Sequence, residues 1–187
     1  MTHRRKYERE RRFLVSEPSI VEGWPWVLIT QAYVFAEDGY AVRVRLIQEP
    51  NPMHGDDPHE PEYLDLAAAL AAKGPRVGDE REEYETHMDS ELARQILKRS
   101  RHIVKKRRYQ VVDHGTWDVD VFLERHNGLI IAEIEGPEGR SIEIPDWCVR
   151  EITSDDTWNN EVLAVSRGNY QVMRDRGRGN NTSNGDQ

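Results

Sequence analysis

The feature that most constrains this 187-residue chain is a period-two alternation of apolar and charged residues that recurs in segment after segment. Such alternation places successive side chains on opposite faces of a β-strand, and β-branched or aromatic residues favour that conformation. The segments with this pattern are Tyr7–Val15, Val27–Phe35, Tyr40–Ile47, Glu62–Ala71, Glu80–His87, His102–Val112, Thr116–Arg125 and Leu129–Glu135. The pattern therefore predicts a chain that is mainly β.

Turn and helix signals lie between these segments. Short Gly-containing turns at 37–39, 114–115 and 127–128 each separate two predicted strands, which indicates antiparallel hairpins. Two other segments carry apolar residues at helical spacing behind a capping residue, namely Asp89–Ser100 and Asp155–Val165. Many strands with few helices favour a sheet that closes on itself.

Composition limits the class of protein. The chain is 37% hydrophobic with a formal net charge of -8, which argues against a nonspecific nucleic-acid binder because such proteins need a basic surface. The single cysteine, Cys148, favours a cytoplasmic setting, and no apolar run approaches the roughly 18 residues of a membrane span. We expect one domain over residues 1–170, with an acidic Pro-rich loop at 48–62 and a disordered tail at 174–187.

Like charges recur two residues apart, and therefore on one face of a predicted strand. The pairs are Glu8 and Glu10, Arg43 and Arg45, Glu83 and Glu85, Lys106 and Arg108, Asp118 and Asp120, and Glu133 and Glu135. Any single pair is compatible with the solvated face of an ordinary amphipathic strand. Solvated faces usually mix the two signs, however, because neighbouring like charges repel. The sorting of acidic and basic pairs into different strands indicates faces that point into one enclosed space.

An enclosed space with both signs of charge suits a polyanion held together with metal ions. Carboxylates are hard oxygen ligands for Mg²⁺ or Mn²⁺, and arginine and lysine bind phosphate oxygens. The seven histidines show no ligand-spaced cluster, so zinc is not expected. The charge pattern therefore predicts a site for phosphoryl chemistry.

The sequence resembles the CYTH superfamily of triphosphate tunnel metalloenzymes. Glu8-x-Glu10-x-Arg12 is similar to the family's N-terminal ExExK motif, with arginine in place of the final lysine. Further similar elements follow in the family's order across about residues 7–165. They are Gln31-Ala32-Tyr33, Val42-Arg43-Val44-Arg45, Lys73-Gly74, Arg81-Glu82-Glu83-Tyr84-Glu85, Lys106-Arg107-Arg108-Tyr109, the paired segments 117–122 and 128–135, Pro145-x-Trp147 and Glu151-Ile152-Thr153.

The resemblance implies an α+β, mainly β fold: a closed eight-stranded antiparallel β-barrel that forms a tunnel, with a few helices packed outside. It also implies a monomeric or homodimeric enzyme that hydrolyses inorganic triphosphate with Mg²⁺ or Mn²⁺ and has no nucleic-acid or membrane partner. A thiamine- or nucleoside-triphosphatase and an adenylate cyclase of class IV type are the enzymatic alternatives. A triphosphate- or nucleotide-binding module without turnover is the alternative of another class.

Matching positions give individual residues implied roles. The implied metal ligands are Glu8, Glu10, Glu133 and Glu135. The implied catalytic carboxylates, which add to the metal site or orient water, are Glu83, Glu85 and Asp120. The implied phosphate-binding residues are Arg12, Arg43, Arg45, Lys73, Lys106 and Arg108. Residues at the alternate positions of the same strands are here said to have opposite parity, because their side chains point to the other face of the sheet. Those expected to face outward are Arg9, Arg11, Glu82 and Arg107. Packing roles are expected for Trp117, Phe122 and Trp147.

Overall fold

The computed structural model describes residues 6–52, 63–77, 80–136 and 143–166, and gives the backbone alone for 6–9. The predicted tail at 174–187 and residues 53–62 of the predicted loop lie outside the described residues. The beginning of that loop is strand, because the third strand continues to Pro50. None of the helices in the described ranges is long and apolar enough to cross a membrane.

The described residues form one curled antiparallel sheet. Its strands are β1 Lys6–Val15, β2 Trp26–Glu37, β3 Tyr40–Pro50, β4 Tyr63–Val77, β5 Glu80–His87, β6 Ile103–Val112, β7 Thr116–Phe122, β8 Ile130–Glu135 and β9 Cys148–Glu151. The order across the sheet is β5-β4-β3-β2-β6-β7-β8-β1-β9. The first half of β1 also pairs with β5, from Lys6 opposite Glu83 to Arg9 opposite Glu80. The sheet therefore has a concave face and a convex face, and one chain segment, β1, contacts three other strands.

The predicted turns do connect neighbouring antiparallel strands. The β2–β3, β6–β7 and β7–β8 pairs are all antiparallel and consecutive in the chain. At the first of these turns, Asp38 and Gly39 have φ of 51° and 81°, the left-handed region that glycine adopts without strain. A Cβ on Gly39 would also lie 3.2 Å from the Cβ of Pro75, so this turn packs tightly against β4.

The two helices are α1, Ser90–Arg99, and α2, Asn160–Val165. Asp89 caps α1 by accepting a hydrogen bond from the Leu92 amide at 2.9 Å, as the sequence predicts. The second predicted helix is divided, because Asn159 adopts an extended conformation between a 3-10 turn and α2. Strand β7 ends before its predicted limit, since a 3-10 turn begins at Glu124, whose φ is 55°.

The convex face over β1, β6, β7 and β8 carries an aromatic cluster. Trp117 is fully buried there and meets Phe13 and Trp147 edge-to-face, with ring centroids 5.8 Å and 5.3 Å away. Trp24, between β1 and β2, and Trp26, the first residue of β2, cover the same cluster. Edge-to-face packing of this kind stabilises a core by about 0.5–1.5 kcal/mol per pair beyond area burial. The packing roles predicted for Trp117 and Trp147 are confirmed.

Helix α1 covers the convex face of β2, β3 and β4. Its Ala93 and Leu97 are buried against Val44, Leu46 and Ala68. The apolar stripe of an amphipathic helix thereby faces the sheet, while the charged stripe faces water. Both covered regions lie on the convex face, which leaves the concave face for the charged pairs.

One end of the concave face is apolar and is covered by residues 152–165, called here the C-terminal segment. Trp158 and Leu163 of this segment are buried in a cluster that includes Tyr33, Phe122 and Ile131 of the strands. Phe122 thus has the packing role that the sequence predicts. The remainder of the concave face carries the charged side chains.

Candidate active site

Strands β3, β4 and β5 bring a first group of opposite charges together on the concave face. Arg43 donates to Glu83 at 3.2 Å and to Glu85 at 2.8 Å. Arg45 also donates to Glu85 at 2.8 Å, and Lys73 lies 2.9 Å from Glu83. The register explains this grouping, since Arg43 and Glu85 both stand opposite Ala71. Small alanine side chains on β4 let the long charged side chains of its neighbours meet across it.

Strands β6, β7 and β8 bring a second group together. Arg108 donates to Asp118 at 2.8 Å, to Asp120 at 2.6 Å and to Glu133 at 2.6 Å. Lys106 also donates to Asp120, which has no exposed surface. One guanidinium therefore links carboxylates from two strands, and a buried aspartate links two cations.

Burial and charge act in opposite directions on this second group. Burial alone would lower the pKa of Arg108, but the charges of Asp120 and Glu133 outweigh it and hold that pKa well above its ordinary value. Burial would raise the pKa of Asp120, and the neighbouring charges of Arg108 and Lys106 outweigh it and lower that pKa. For Lys106 burial is the larger effect, and its pKa is lowered. Asp120 is therefore held ionised between two cations.

Strand β1 supplies a third group around Glu10. Its Oε1 accepts a hydrogen bond from Arg76 at 3.0 Å and lies 3.8 Å from the Nε of Arg12. The other nitrogens of Arg12 donate to the carbonyl oxygens of Thr153 at 3.3 Å and of Trp158 at 3.4 Å. Arg12, predicted to bind phosphate, thus lies between Glu10 and the C-terminal segment.

A cavity of about 390 Å³ opens beside the second and third groups. Its lining residues are Glu10, Arg108, Gln110, Thr116, Asp118, Glu133 and Glu135. Three of the four predicted metal ligands line this cavity, together with a predicted phosphate-binding arginine. Side chains from β1, β6, β7 and β8 therefore form a polar chamber large enough for a small anion and its counterions.

The donor set of the cavity suits a hard divalent cation. Glu10 stands directly opposite Glu135 in the β1–β8 register, and like charges at such positions repel unless a cation lies between them. Glu133 and Asp118, opposite each other on β8 and β7, repeat this arrangement, with Arg108 as their shared cation. Within the described ranges no three such side chains already converge as a metal-binding group, and the side chain of Glu8 is not described.

Two polar residues of the concave face belong to an element that resembles the family but have no predicted role. Gln31 and Tyr33 are buried opposite Arg45 and Arg43, and Gln31 donates to the Tyr33 hydroxyl at 3.2 Å. Their spacing of two residues matches the charged pairs, so parity was a usable signal for them. Burial raises the pKa of Tyr33, which keeps its hydroxyl protonated.

Arg81 is a further buried cation that the sequence prediction leaves without a role. It donates to Glu161 of α2 at 2.7 Å and to the carbonyl oxygens of Gly39 at 3.0 Å and Gly74 at 2.8 Å. These contacts join the C-terminal segment to the β2–β3 turn and to β4. No local sequence pattern indicates them, because the partners are far apart in the chain.

The residues of opposite parity lie where the sequence predicts. Arg11 pairs with Glu151 at 2.7 Å and its side chain is 37% exposed. Glu82 is exposed, and Arg107 stacks over the ring of Trp26 at 4.5 Å on the convex face. The outward position is confirmed for these three residues, while the side chain of Arg9 is not described.

A curled antiparallel sheet with carboxylates and cations interleaved on its concave face is the arrangement expected of a CYTH-type protein. No protein-family model matches the chain. The chain is 32% identical over 160 residues to an inorganic triphosphatase of Acetivibrio thermocellus, which covers 83% of this chain and 92% of that protein. At that identity and coverage, the chain belongs to the CYTH superfamily, in the same family as this inorganic triphosphatase.

Solved structures show the same fold. A crystal structure of the inorganic triphosphatase NE1496 is similar with a TM-score of 0.56 at 23% identity, over 85% of this chain and 98% of that chain. A second crystal structure of NE1496 gives a TM-score of 0.57 over 86% and 99% of the two chains. The similarity extends over nearly the full length of the compared protein, so the two chains share a fold.

Proposed function

We propose that this protein hydrolyses inorganic triphosphate to pyrophosphate and phosphate at the concave face, with Mg²⁺ or Mn²⁺ as cofactor. The observation that carries the proposal is the 390 Å³ cavity lined by four carboxylates and one arginine, beside the paired charges of the concave face. The family supports inorganic triphosphate as the substrate, because the relative from Acetivibrio thermocellus is an inorganic triphosphatase. Interleaved charges of both signs are what a polyanion with bound cations requires.

The architecture that we propose for this reaction is a tunnel enclosed by the eight strands β1 to β8. The support for closure is the pairing of β1 with β5, which joins the strand at one end of the sheet order to a strand near the other end. We also propose that the chain forms one cytoplasmic domain over residues 1–170, monomeric or homodimeric. The single cysteine supports the cytoplasmic setting.

Within this site carboxylates of β1 and β8 would hold the cation. We assign this role to Glu8, Glu10, Glu133 and Glu135. When bound, a divalent cation supplies charge stabilisation at phosphate oxygens and favours deprotonation of the attacking water. The protein groups hold the triphosphate in line for attack, and such positioning with charge stabilisation is the main source of rate in phosphoryl transfer.

The cations of the concave face would hold the triphosphate oxygens. We assign this role to Arg12, Arg43, Arg45, Lys73, Lys106 and Arg108. Glu83 and Glu85 position the guanidinium groups of Arg43 and Arg45, and Asp120 positions Lys106 and Arg108. These three carboxylates thus keep the binding cations at fixed positions before substrate arrives, which reduces the entropy cost of ordering them.

The cavity lining favours a bare triphosphate over an organic one. All of the residues that line it are charged or polar, and in the described part of the chain none of them offers an aromatic or aliphatic face to a base. A nucleotide or thiamine compound would gain little from such a lining, since ring recognition relies on apolar and aromatic surface. The same observation disfavours the adenylate cyclase alternative, which requires a pocket for adenine.

A phosphate-release assay tests the proposed function. We expect release of phosphate from inorganic triphosphate with Mg²⁺ or Mn²⁺, slower release from thiamine triphosphate and ATP, and no release after chelation with EDTA. Undiminished hydrolysis in EDTA would contradict the metal-dependent mechanism. Tight binding of triphosphate with no phosphate release would instead identify a binding module.

Triphosphate should also stabilise the folded protein. A ligand that binds only the folded state adds about 2.7 kcal/mol at 100 times its dissociation constant, which is a rise in melting midpoint of about 5–10 °C for a domain of this size. The measurement is a thermal melt with triphosphate and Ca²⁺, a hard cation expected to support binding with little turnover. Sulfate at matched ionic strength is the control, and an equal shift with sulfate would mean that the cations do not form one site.

A further inference from the structure

Strand β4 contains a bulge that changes which face its side chains occupy. Lys73 stands opposite Glu83, but Arg76 stands opposite Arg81, so two residues of β4 face one residue of β5 between these pairs. The two residues are Gly74 and Pro75, and proline cannot donate to a strand ladder. In a regular strand Lys73 and Arg76 would lie on opposite faces, because they are three residues apart. The bulge places both cations on the concave face.

Arg76 reaches the rim of the candidate cavity. Its Nη2 lies 3.0 Å from Oε1 of Glu10, and the side chains of both residues are only 11% exposed. Glu10 lines the cavity and stands opposite Glu135. Arg76 is therefore a partly buried cation in contact with a carboxylate that the proposed function assigns to the metal.

A purely structural ion pair explains this geometry less well than a binding role. Buried ion pairs contribute little net stability, because desolvation of the two charges offsets most of their attraction. The cavity lining carries four carboxylates and a single arginine, so a divalent cation bound to those carboxylates would replace the positive charge that Arg76 supplies to Glu10. Arg76 would then be available to a polyanion in the cavity, and the planar fork of arginine matches phosphate oxygens.

We propose that Arg76 is a further triphosphate-binding residue, which exchanges Glu10 for a phosphate oxygen when a divalent cation binds Glu10. This inference rests on the proposed function. The exchange couples the two ligands: the cation releases Arg76 for the triphosphate, and the triphosphate draws Arg76 away from Glu10. Coupling of this kind is reciprocal, so each ligand strengthens binding of the other.

Two titrations with opposite expected signs test the proposal. Arg76→Gln should weaken binding of triphosphate in the presence of Ca²⁺ by about 10- to 100-fold, the loss expected for a hydrogen-bonded charge pair. The same variant should bind Mn²⁺ alone about threefold or more tightly than wild type, because a competing positive charge has left Glu10. Isothermal titration calorimetry measures both affinities without turnover.

The matched control is Arg11→Gln, which removes an arginine–carboxylate pair from the same strand as Glu10 but on the convex face. It should leave both affinities unchanged. Triphosphate affinity of Arg76→Gln within twofold of wild type would overturn the proposal. Weaker binding of both ligands would also overturn it, since that result indicates general damage to the site.

Arg76→Lys keeps the positive charge but loses the planar guanidinium. Its affinities for triphosphate and for Mn²⁺ should lie between those of wild type and Arg76→Gln. If Arg76→Gln is unfolded at the assay temperature, the test relies on Arg76→Lys. Affinities of Arg76→Lys for triphosphate and for Mn²⁺ equal to those of wild type would then overturn the proposal. If wild type binds triphosphate without hydrolysing it, the proposed hydrolysis fails and the proposal about Arg76 stands. If the concave face is not a triphosphate site at all, wild type itself would bind no triphosphate in Ca²⁺. That outcome would remove both proposals. If wild type binds triphosphate and the Arg76 variants bind it equally well, only the proposal about Arg76 is removed.

Discussion

Replacing Glu133 by Gln is expected to lower the rate of triphosphate hydrolysis by about 100-fold or more, while Arg11→Gln changes it by less than about twofold. Glu133 lines the cavity and contacts Arg108 at 2.6 Å, whereas Arg11 pairs with Glu151 on the convex face. A group that holds a catalytic cation supports several kcal/mol of charge stabilisation in the transition state, and each 1.4 kcal/mol is tenfold in rate. An exposed ion pair contributes at most about 1 kcal/mol, and to stability only.

Steady-state kinetics with saturating Mg²⁺ measures this contrast, with Glu10→Gln as a second cavity variant. Both glutamines keep the size of the side chain, so folding can be compared by thermal melts. Equal damage from Arg11→Gln and Glu10→Gln would show that the two faces of β1 are not functionally distinct. Raising the Mg²⁺ concentration should partly restore Glu10→Gln, because a lost ligand weakens metal affinity more than it alters the rest of the cavity.

Asp120→Asn is expected to destabilise the protein by about 3–5 kcal/mol, the usual cost of removing one partner from a buried charge group. Asp120 is fully buried and accepts hydrogen bonds from both Lys106 and Arg108. The amide keeps the shape of the side chain but leaves two cations without their shared counter-charge. Asp118→Asn is the control, since Asp118 is 33% exposed and accepts one hydrogen bond from Arg108 at 2.8 Å, and it should cost less than about 1 kcal/mol.

Urea denaturation at several pH values measures this difference and its sign. Because the pKa of Asp120 is lowered in the folded state, its contribution to stability is fully present above the unfolded pKa of about 3.9 and is lost as pH falls through the folded value. The difference in the free energy of unfolding between wild type and Asp120→Asn should therefore be constant near neutral pH and should decrease below about pH 4. A gap unchanged down to the folded pKa would mean that Asp120 is not held ionised by its neighbours.

The strands were predictable because alternation and turns are local properties. The eight predicted segments all contain strand, and β5 occupies Glu80–His87 as predicted. Strand β9 was not predicted, since its four residues are too few to show a period of two. The divided second helix was not predicted either, because Asp155 and Asn159 are both good capping residues and the sequence does not say which of them begins the helix.

For the candidate site, the alternation of residues along a strand predicted which face a side chain occupies only where the strand is regular. It places Glu10 and Arg43 on the concave face and Arg11 on the convex face, as the structure has them. Parity fails after the bulge in β4, so Arg76 was missed although it contacts Glu10. The pairing partners of the cations were also beyond reach, because salt bridges depend on which strands become neighbours.

The C-terminal segment limits where substrate and products can enter and leave the concave face. Trp158 and Leu163 fill one end of the concave face, and Arg81 fastens α2 there through Glu161. That end is closed among the described residues, so under the proposed function a triphosphate and both of its products would enter and leave on the opposite side. Pyrophosphate carries the same kind of oxygens as the substrate, so until it leaves it occupies the binding site of the next triphosphate. Product release would then contribute to the rate of turnover together with the chemical step.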